Sequence, residues 1–240
     1  MPDTQAAAPT ADPALPVAGA CQMLRVVADE WSSTVATLRR FDRPHAAAPW
    51  RAVGDDISVS LGRSGLAWGI GHHPPPRSAE RRKREGDGCA PAGVFAITAL
   101  FGEAGPESAF VQSARLPYRC ASASLKCVDD PASRHYNRIM DEATVDAVDW
   151  QSHEDMLRDD ERYVIGAVIA HNAAGRPGEG SCIFLHVWQA AGVPTAGCTA
   201  ASLADMTEIC GWLDAAHHPV IVQLPAAEYR RRREAWRLPW

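Results

Sequence analysis

Hydrophobic positions in this chain fall in short runs broken by Gly and Pro. Leu24–Val27 and Thr37–Phe41 open the series, and Ile57–Leu61 alternates apolar and polar side chains as a strand with one wet face does. Val94–Leu100, Tyr163–Ala170, Ser181–Trp188 and His218–Leu224 are apolar runs rich in β-branched residues. Such side chains pack well on a pleated surface, so these segments predict buried strands, at least six in all. Helical spacing is clear once: Leu203, Met206, Ile209, Cys210 and Leu213 recur on one face, with Ser202 and Asp205 suited to the first turn. A second, short polar helix is expected over Ser152–Asp160. The pattern is that of a mainly β domain with a few short helices.

Between the strands, His72 to Arg82 contains Pro74-Pro75-Pro76, which cannot ladder, and predicts an exposed loop. Ala173 to Gly180 predicts a turn leading into the Ser181–Trp188 strand, and both loops would border a groove. Residues 1–20 are rich in Ala and Pro and predict a disordered tail; residues 21–240 form one domain, and no internal repeat is visible. With 240 residues and 46% hydrophobic content, such a domain buries about 70–75% of its unfolded surface without needing a staple.

Charge narrows the partners. The net charge is -5, so composition offers no broad positive field and no nucleic-acid partner is expected. The runs Arg81-Arg82-Lys83-Arg84 and Arg230 to Arg233 are expected to be solvated faces. No apolar stretch reaches the roughly 18 residues of a transmembrane segment, and Met1 to Ala20 has neither the basic start nor the apolar core of a secretory signal. Seven cysteines leave two readings open: six paired around one free thiol, as in an oxidising compartment, or several buried apolar thiols. Cys120 and Cys127 are the easiest local bridge.

The candidate chemistry centres on Cys198 in Pro194-Thr195-Ala196-Gly197-Cys198-Thr199, downstream of His186 at the end of an apolar run. A thiol needs a base to act as a nucleophile, and a glycine just before it lets backbone N–H groups of Gly197 and Cys198 approach an oxyanion. The helix after Cys198 would add its positive end, and with His186 would lower the thiol pKa from its free value of about 8.5. The pair therefore predicts a cysteine acyl-transfer site.

Lys83-Arg84-Glu85-Gly86-Asp87-Gly88-Cys89-Ala90-Pro91-Ala92-Gly93-Val94-Phe95 resembles the segment ahead of the active-site strand in L,D-transpeptidase (YkuD-type) domains. Cys127-Val128-Asp129-Asp130-Pro131, Tyr136-Asn137-Arg138, His171-Asn172, Gly180 to Trp188 and Thr195 to Ala200 resemble a proteobacterial subgroup of that family, so the likeness runs from about Cys21 to the C-terminus. Two departures stand out. Only eight residues separate His186 from Thr195, where the commonest form has more, and Ala196 stands where that form has histidine. Ala200 replaces the Arg or Asn that many members carry as a substrate clamp.

The resemblance implies a β-sandwich of mixed sheets, a peptidoglycan stem peptide as partner, and a place in the periplasm or cell envelope, by an export route the sequence leaves open. It implies a cross-linking L,D-transpeptidase, with L,D-carboxypeptidase activity or a non-catalytic wall-binding module as alternatives. The catalytic residues would be Cys198, His186 and Gly197, with a backbone carbonyl orienting the imidazole; Asp129 and Asp130 are rival orienters. Arg138 is the candidate for a substrate carboxylate, with Tyr136, Asn137, Trp188, His171 and Asn172 as further substrate-binding candidates. No cofactor and no metal are expected. Cys182, His186, Cys198 and Cys210, or His217 and His218, would be the ligands in a rival zinc reading, but their spacing lacks the usual paired pattern.

Overall fold

The computed structural model describes residues 15–76 and 80–240. In chain order its strands are β1 (Gln22–Ala28), β2 (Val35–Asp42), β3 (Arg51–Ser60), β4 (Leu66–Trp68), β5 (Ala90–Gly102), β6 (Tyr118–Cys120), β7 (Leu125–Val128), β8 (Arg138–Asp141), β9 (His153–Asp155), β10 (Ile165–Ile169), β11 (Phe184–Val187), β12 (Thr199–Ala201) and β13 (Val220–Pro225). Three short α-helices accompany them: α1 (Ala109–Ser113), α2 (Leu203–Trp212) and α3 (Ala226–Arg232). Each of the seven apolar runs read as a strand contributes to one.

Pairing runs β10-β11-β12-β3-β2-β1-β13-β5, and β5 pairs in turn with β10, so the path closes on itself. Closure leaves the ring without a free edge along this path. The sheet is mixed: β1 with β13 and β11 with β12 are parallel, and the other pairs of the ring are antiparallel. A separate small sheet, β8-β7-β9, lies outside it.

The main core gathers inward residues from both halves of the ring, among them Met23, Leu24, Leu38, Val94, Phe95 and Ile221, with Met206, Ile209 and Cys210 of α2 against it. Ser202 caps α2, its hydroxyl accepting from the Asp205 N–H at 3.1 Å, which satisfies one of the helix's open donors. A smaller apolar cluster joins Phe101, Leu125, Met156, Tyr163 and Phe184 around the Cys127–Cys182 disulfide, and Cys198 belongs to it.

Several sequence expectations change. Of the expected tail, residues 1–14 lie outside the described residues, but Leu15 to Ala20 packs. Val17 and Ala20 are buried, and their carbonyls accept from Arg43 at 3.0 and 2.7 Å. No helix forms over Ser152–Asp160: β9 pairs there with β7, a partner the local polar composition does not reveal. In the loop expected to be exposed, His73 is buried, its Nδ1 accepting from the Val94 N–H and its Nε2 facing the Gly69 carbonyl. Lys83 departs from the solvated basic run, being buried on Asp87 at 2.7 Å. Cys127 bridges to Cys182, not Cys120, and Cys21, Cys89, Cys120, Cys198 and Cys210 are free thiols. No helix among the described residues is long and apolar enough to cross a membrane.

Candidate active site

The neighbouring strands β11 and β12 bring the two central residues together. They run parallel with His186 opposite Ala200, and the same register two residues earlier sets Cys198 beside Phe184. There the Phe184 N–H points at Cys198 Sγ at 3.3 Å, and the thiol faces the Cys182 carbonyl at 3.6 Å. Cys198 and His186 line one cavity of about 260 Å³, together with Glu154, Arg158, Tyr163 and Trp188. No hydrogen bond joins imidazole and thiol among the described residues; the Tyr163 ring stands edge-on to His186, centroids 5.3 Å apart.

The imidazole has a defined tautomer. Its Nδ1 lies 2.8 Å from the Val187 carbonyl, and a carbonyl can only accept, so Nδ1 carries the hydrogen and Nε2 keeps a free lone pair. Burial pushes the His186 pKa down to about 4, so the ring is neutral at pH 7. Asp129 and Asp130 hold other partners: Asp129 accepts from the Ser152 hydroxyl and Asp130 from the Ala132 and Gln151 amides.

The thiol behaves opposite to the sequence expectation. Burial, reinforced by the Glu154 carboxylate, pushes the Cys198 pKa up to about 12, against smaller opposing effects of the Phe184 N–H and the Lys83 ammonium. The helix cannot rescue it. α2 begins at Leu203, and the whole of β12 separates its first turn from Cys198, beyond the range over which a helix end acts strongly. At rest both partners are uncharged, and no thiolate–imidazolium pair is preformed.

Thr195 ties down the loop that carries Cys198. Its hydroxyl donates to the Cys198 carbonyl at 2.7 Å and accepts from the Gly197 N–H at 3.1 Å, while its backbone bonds to Leu61 and Arg63. Gly197 adopts φ 156°, which side-chain-bearing residues rarely do, and a Cβ there would crowd the Cys89 carbonyl oxygen at 3.1 Å. Its N–H, expected to serve an oxyanion, is thus already engaged at rest.

Of the substrate-binding candidates, only Trp188 shares the cavity with Cys198. The others build a hydrogen-bonded support behind the start of β11. Asn137, at φ 62°, donates to the His171 and Asn172 carbonyls at 2.9 and 2.8 Å and accepts from the Cys182 N–H at 2.9 Å. His171 accepts from the Ile70 N–H at Nδ1 and faces the Glu179 carbonyl at Nε2. Asn172 donates to the Arg176 and Gly180 carbonyls and accepts from the Arg176 N–H. The Tyr136 hydroxyl donates to Glu85, which also accepts from Ser181. Arg138 is exposed and lines a second cavity of about 550 Å³, with Asn137, Cys182 and Phe184 but without Cys198. The loops around Pro75–Pro76 and Arg176–Glu179 border a third cavity, again without Cys198.

Sequence reasoning missed four residues of the site: Glu154, Arg158, Arg162 and Tyr163 all line the Cys198 cavity. The Tyr163 hydroxyl donates to Glu154 at 2.5 Å, and burial raises the Glu154 pKa above its ordinary value. The alternation Arg158-Asp159-Asp160-Glu161-Arg162 directly before a buried strand was the available signal. Among the described residues no group of three or more His, Cys, Asp or Glu is arranged to hold a metal ion, and the disulfide removes Cys182 as a thiolate ligand. The chain matches no family model, no curated protein and no solved structure.

Proposed function

We propose that the protein is a peptidoglycan L,D-transpeptidase that works through an acyl-enzyme on Cys198. The observation that carries the reading is a buried cysteine and a neutral, Nδ1-protonated histidine opening onto one cavity. The sequence likeness supplies the substrate class, an L-centre joined to a D-residue in a stem peptide.

Because thiol and imidazole are both neutral at rest, deprotonation accompanies attack instead of preceding it. His186 Nε2 takes the thiol proton as sulfur bonds to the carbonyl carbon, and the oxyanion rests on the Cys198 amide. The C–N bond then breaks, the leaving D-amino acid receives the proton from His186, and a thioester remains on Cys198. A neighbouring stem's amine attacks the thioester and gives a proton to His186; the C–S bond breaks, His186 returns that proton to the departing sulfur, and the cross-link and the free thiol remain. Water in place of that amine makes the same enzyme a carboxypeptidase. The Cys127–Cys182 disulfide fits a place in the periplasm or envelope, since such bridges persist in oxidising compartments.

The test is incubation with a purified disaccharide-tetrapeptide, reading products and protein by mass spectrometry. A dimer lacking one D-alanine and a thioester adduct on Cys198 are expected. A tripeptide alone indicates the carboxypeptidase, and turnover that survives Cys198→Ala overturns the acyl-enzyme in either form.

A further inference from the structure

We infer that Arg158 and Arg162 form an anion subsite beside Cys198, whose ligand is a carboxylate. The two guanidinium groups enclose one acid. Arg158 meets Asp160 through Nε at 3.2 Å and Nη2 at 3.1 Å, and Arg162 meets it through Nε at 2.9 Å and Nη2 at 2.5 Å. Two cations on a single carboxylate leave one positive charge in excess. In each fork Nη1 makes no hydrogen bond among the described residues, so donors remain for a second anion.

Both side chains line the Cys198 cavity and are partly sheltered, at 27% and 39% exposure, where a charge is screened less than on open surface. Arg158 also lies over the Tyr163 ring, 5.1 Å from its centroid, which fixes the guanidinium plane against the wall next to His186. The opposing charge in the cavity is Glu154. Its carboxylate accepts from the Tyr163 hydroxyl, and burial raises its pKa above the ordinary value. Asp159 and Glu161 are exposed and do not line the cavity.

A cavity of about 260 Å³ lies at the small end of ligand pockets and suits one terminal residue better than a length of polymer. The identity of the carboxylate rests on the acyl-transfer reading: it is the free terminus of the D-amino acid that leaves. The subsite replaces Arg138, which opens on the other cavity, as the residue meeting that group.

The anion site can be tested without peptidoglycan, so its failure and that of the transpeptidase reading are separable. Cys198 is alkylated with iodoacetate or with iodoacetamide, and the rate ratio, read by peptide mass, is divided by the ratio at exposed Cys120 in the same molecule. The normalised preference for iodoacetate should be about fivefold, as one partly screened ion pair supports, and should fall towards unity in Arg158→Gln and Arg162→Gln. Arg162→Lys should keep most of it, and dividing by the iodoacetamide rate of the same variant removes any change in the thiol's own reactivity. A ratio equal to that of Cys120, or one indifferent to both glutamine variants, overturns the subsite. Should Cys198 resist both reagents, titration with N-acetyl-D-alanine against its carboxamide decides: tighter carboxylate binding that both variants abolish supports the subsite, and equal affinities remove it. If the preference holds while the disaccharide-tetrapeptide yields no adduct, the subsite stands and the transpeptidase reading falls.

Discussion

Two cavities meet the same stretch of chain and differ in what their polar atoms have left to do. The larger, about 550 Å³, opens at Cys182–Phe184 beside Asn137, Arg138 and His171; the smaller, about 260 Å³, opens at His186 and Trp188 beside Cys198. Around the larger, Asn137 spends its amide on two carbonyls and one N–H, and His171 uses both ring nitrogens, while Arg138, exposed, lines the cavity outside this cluster. Around the smaller, His186 Nε2 and the Nη1 groups of Arg158 and Arg162 make no hydrogen bond among the described residues. A saturated polar cluster holds backbone in place, whereas chemistry needs atoms with bonding capacity in reserve. The comparison teaches that a cluster of polar residues in the sequence marks a site only if its atoms are not already engaged.

His186→Gln removes the proposed general base and should lower kcat/KM on the tetrapeptide by about 10²- to 10⁴-fold, measured by steady-state product release. The fold should persist, because the ring makes a single hydrogen bond, to its neighbour's carbonyl. If turnover falls less than about tenfold, the imidazole is not the base.

Asn137→Ala attacks the other side. It strands two carbonyls and one N–H in a buried setting and puts alanine at φ 62°, a backbone conformation that Asn tolerates better. The expected cost is about 3 kcal/mol of unfolding free energy by urea denaturation, with activity per folded molecule reduced far less than by His186→Gln. Equal loss of intrinsic activity in both variants would erase the distinction.

That distinction was only partly legible in the chain. Strands written as one apolar run, and the helix capped by Ser202, could be read because their signals are local. Cys198 and His186 stood out as candidates for the same reason, each marked by its immediate neighbours. The disulfide could not: it joins residues 55 apart, and the bridge forms where β7 meets the lead into β11, not where cysteines are adjacent in sequence. Asn137 looked like a binding residue because its partner amide lies 45 positions downstream. Glu154 and Arg158 were hidden in a segment that suits a polar helix until β7 pairs with β9, and Arg162 sits just beyond it, before the buried strand β10. The sign of the Cys198 shift was missed because burial, which sequence renders poorly, outweighs the histidine and the helix end.

Acid stability sharpens the comparison by showing what the two sides share. His171 on one, His186 on the other, and His73 have pKa values lowered by burial from 6.5 to about 4. Above pH 6.5 these rings are neutral in folded and unfolded chains alike; as pH falls towards 4 the unfolded rings take up protons that the folded ones refuse. The contribution of these histidines to stability should therefore decline through that window and level off below it. Each histidine contributes a slope of up to about 1.4 kcal/mol per pH unit, and His186→Gln should remove one such share in urea melts between pH 6 and pH 4.5. A slope unchanged in that variant means His186 is not buried as a neutral ring.

The smallest effect separates the two sides through charge alone. Glu154 and Glu85 are both sheltered carboxylates bonded to a tyrosine hydroxyl, Glu154 to Tyr163 and Glu85 to Tyr136. Only Glu154 lines the Cys198 cavity and raises that thiol's pKa. In Glu154→Gln the side-chain oxygen still accepts from Tyr163, but the negative charge that opposes thiolate formation is gone. Alkylation of Cys198 by iodoacetamide at pH 8, where the thiolate is a minor form, should then rise about threefold, the scale of one partly screened charge. Glu85→Gln should instead weaken the support around Tyr136 and Ser181, seen as a lower urea midpoint, and leave the Cys198 rate as in the wild type. If both variants raise the alkylation rate equally, the two carboxylates act on the sulfur through one common field, and the smaller cavity loses its separate electrostatic identity.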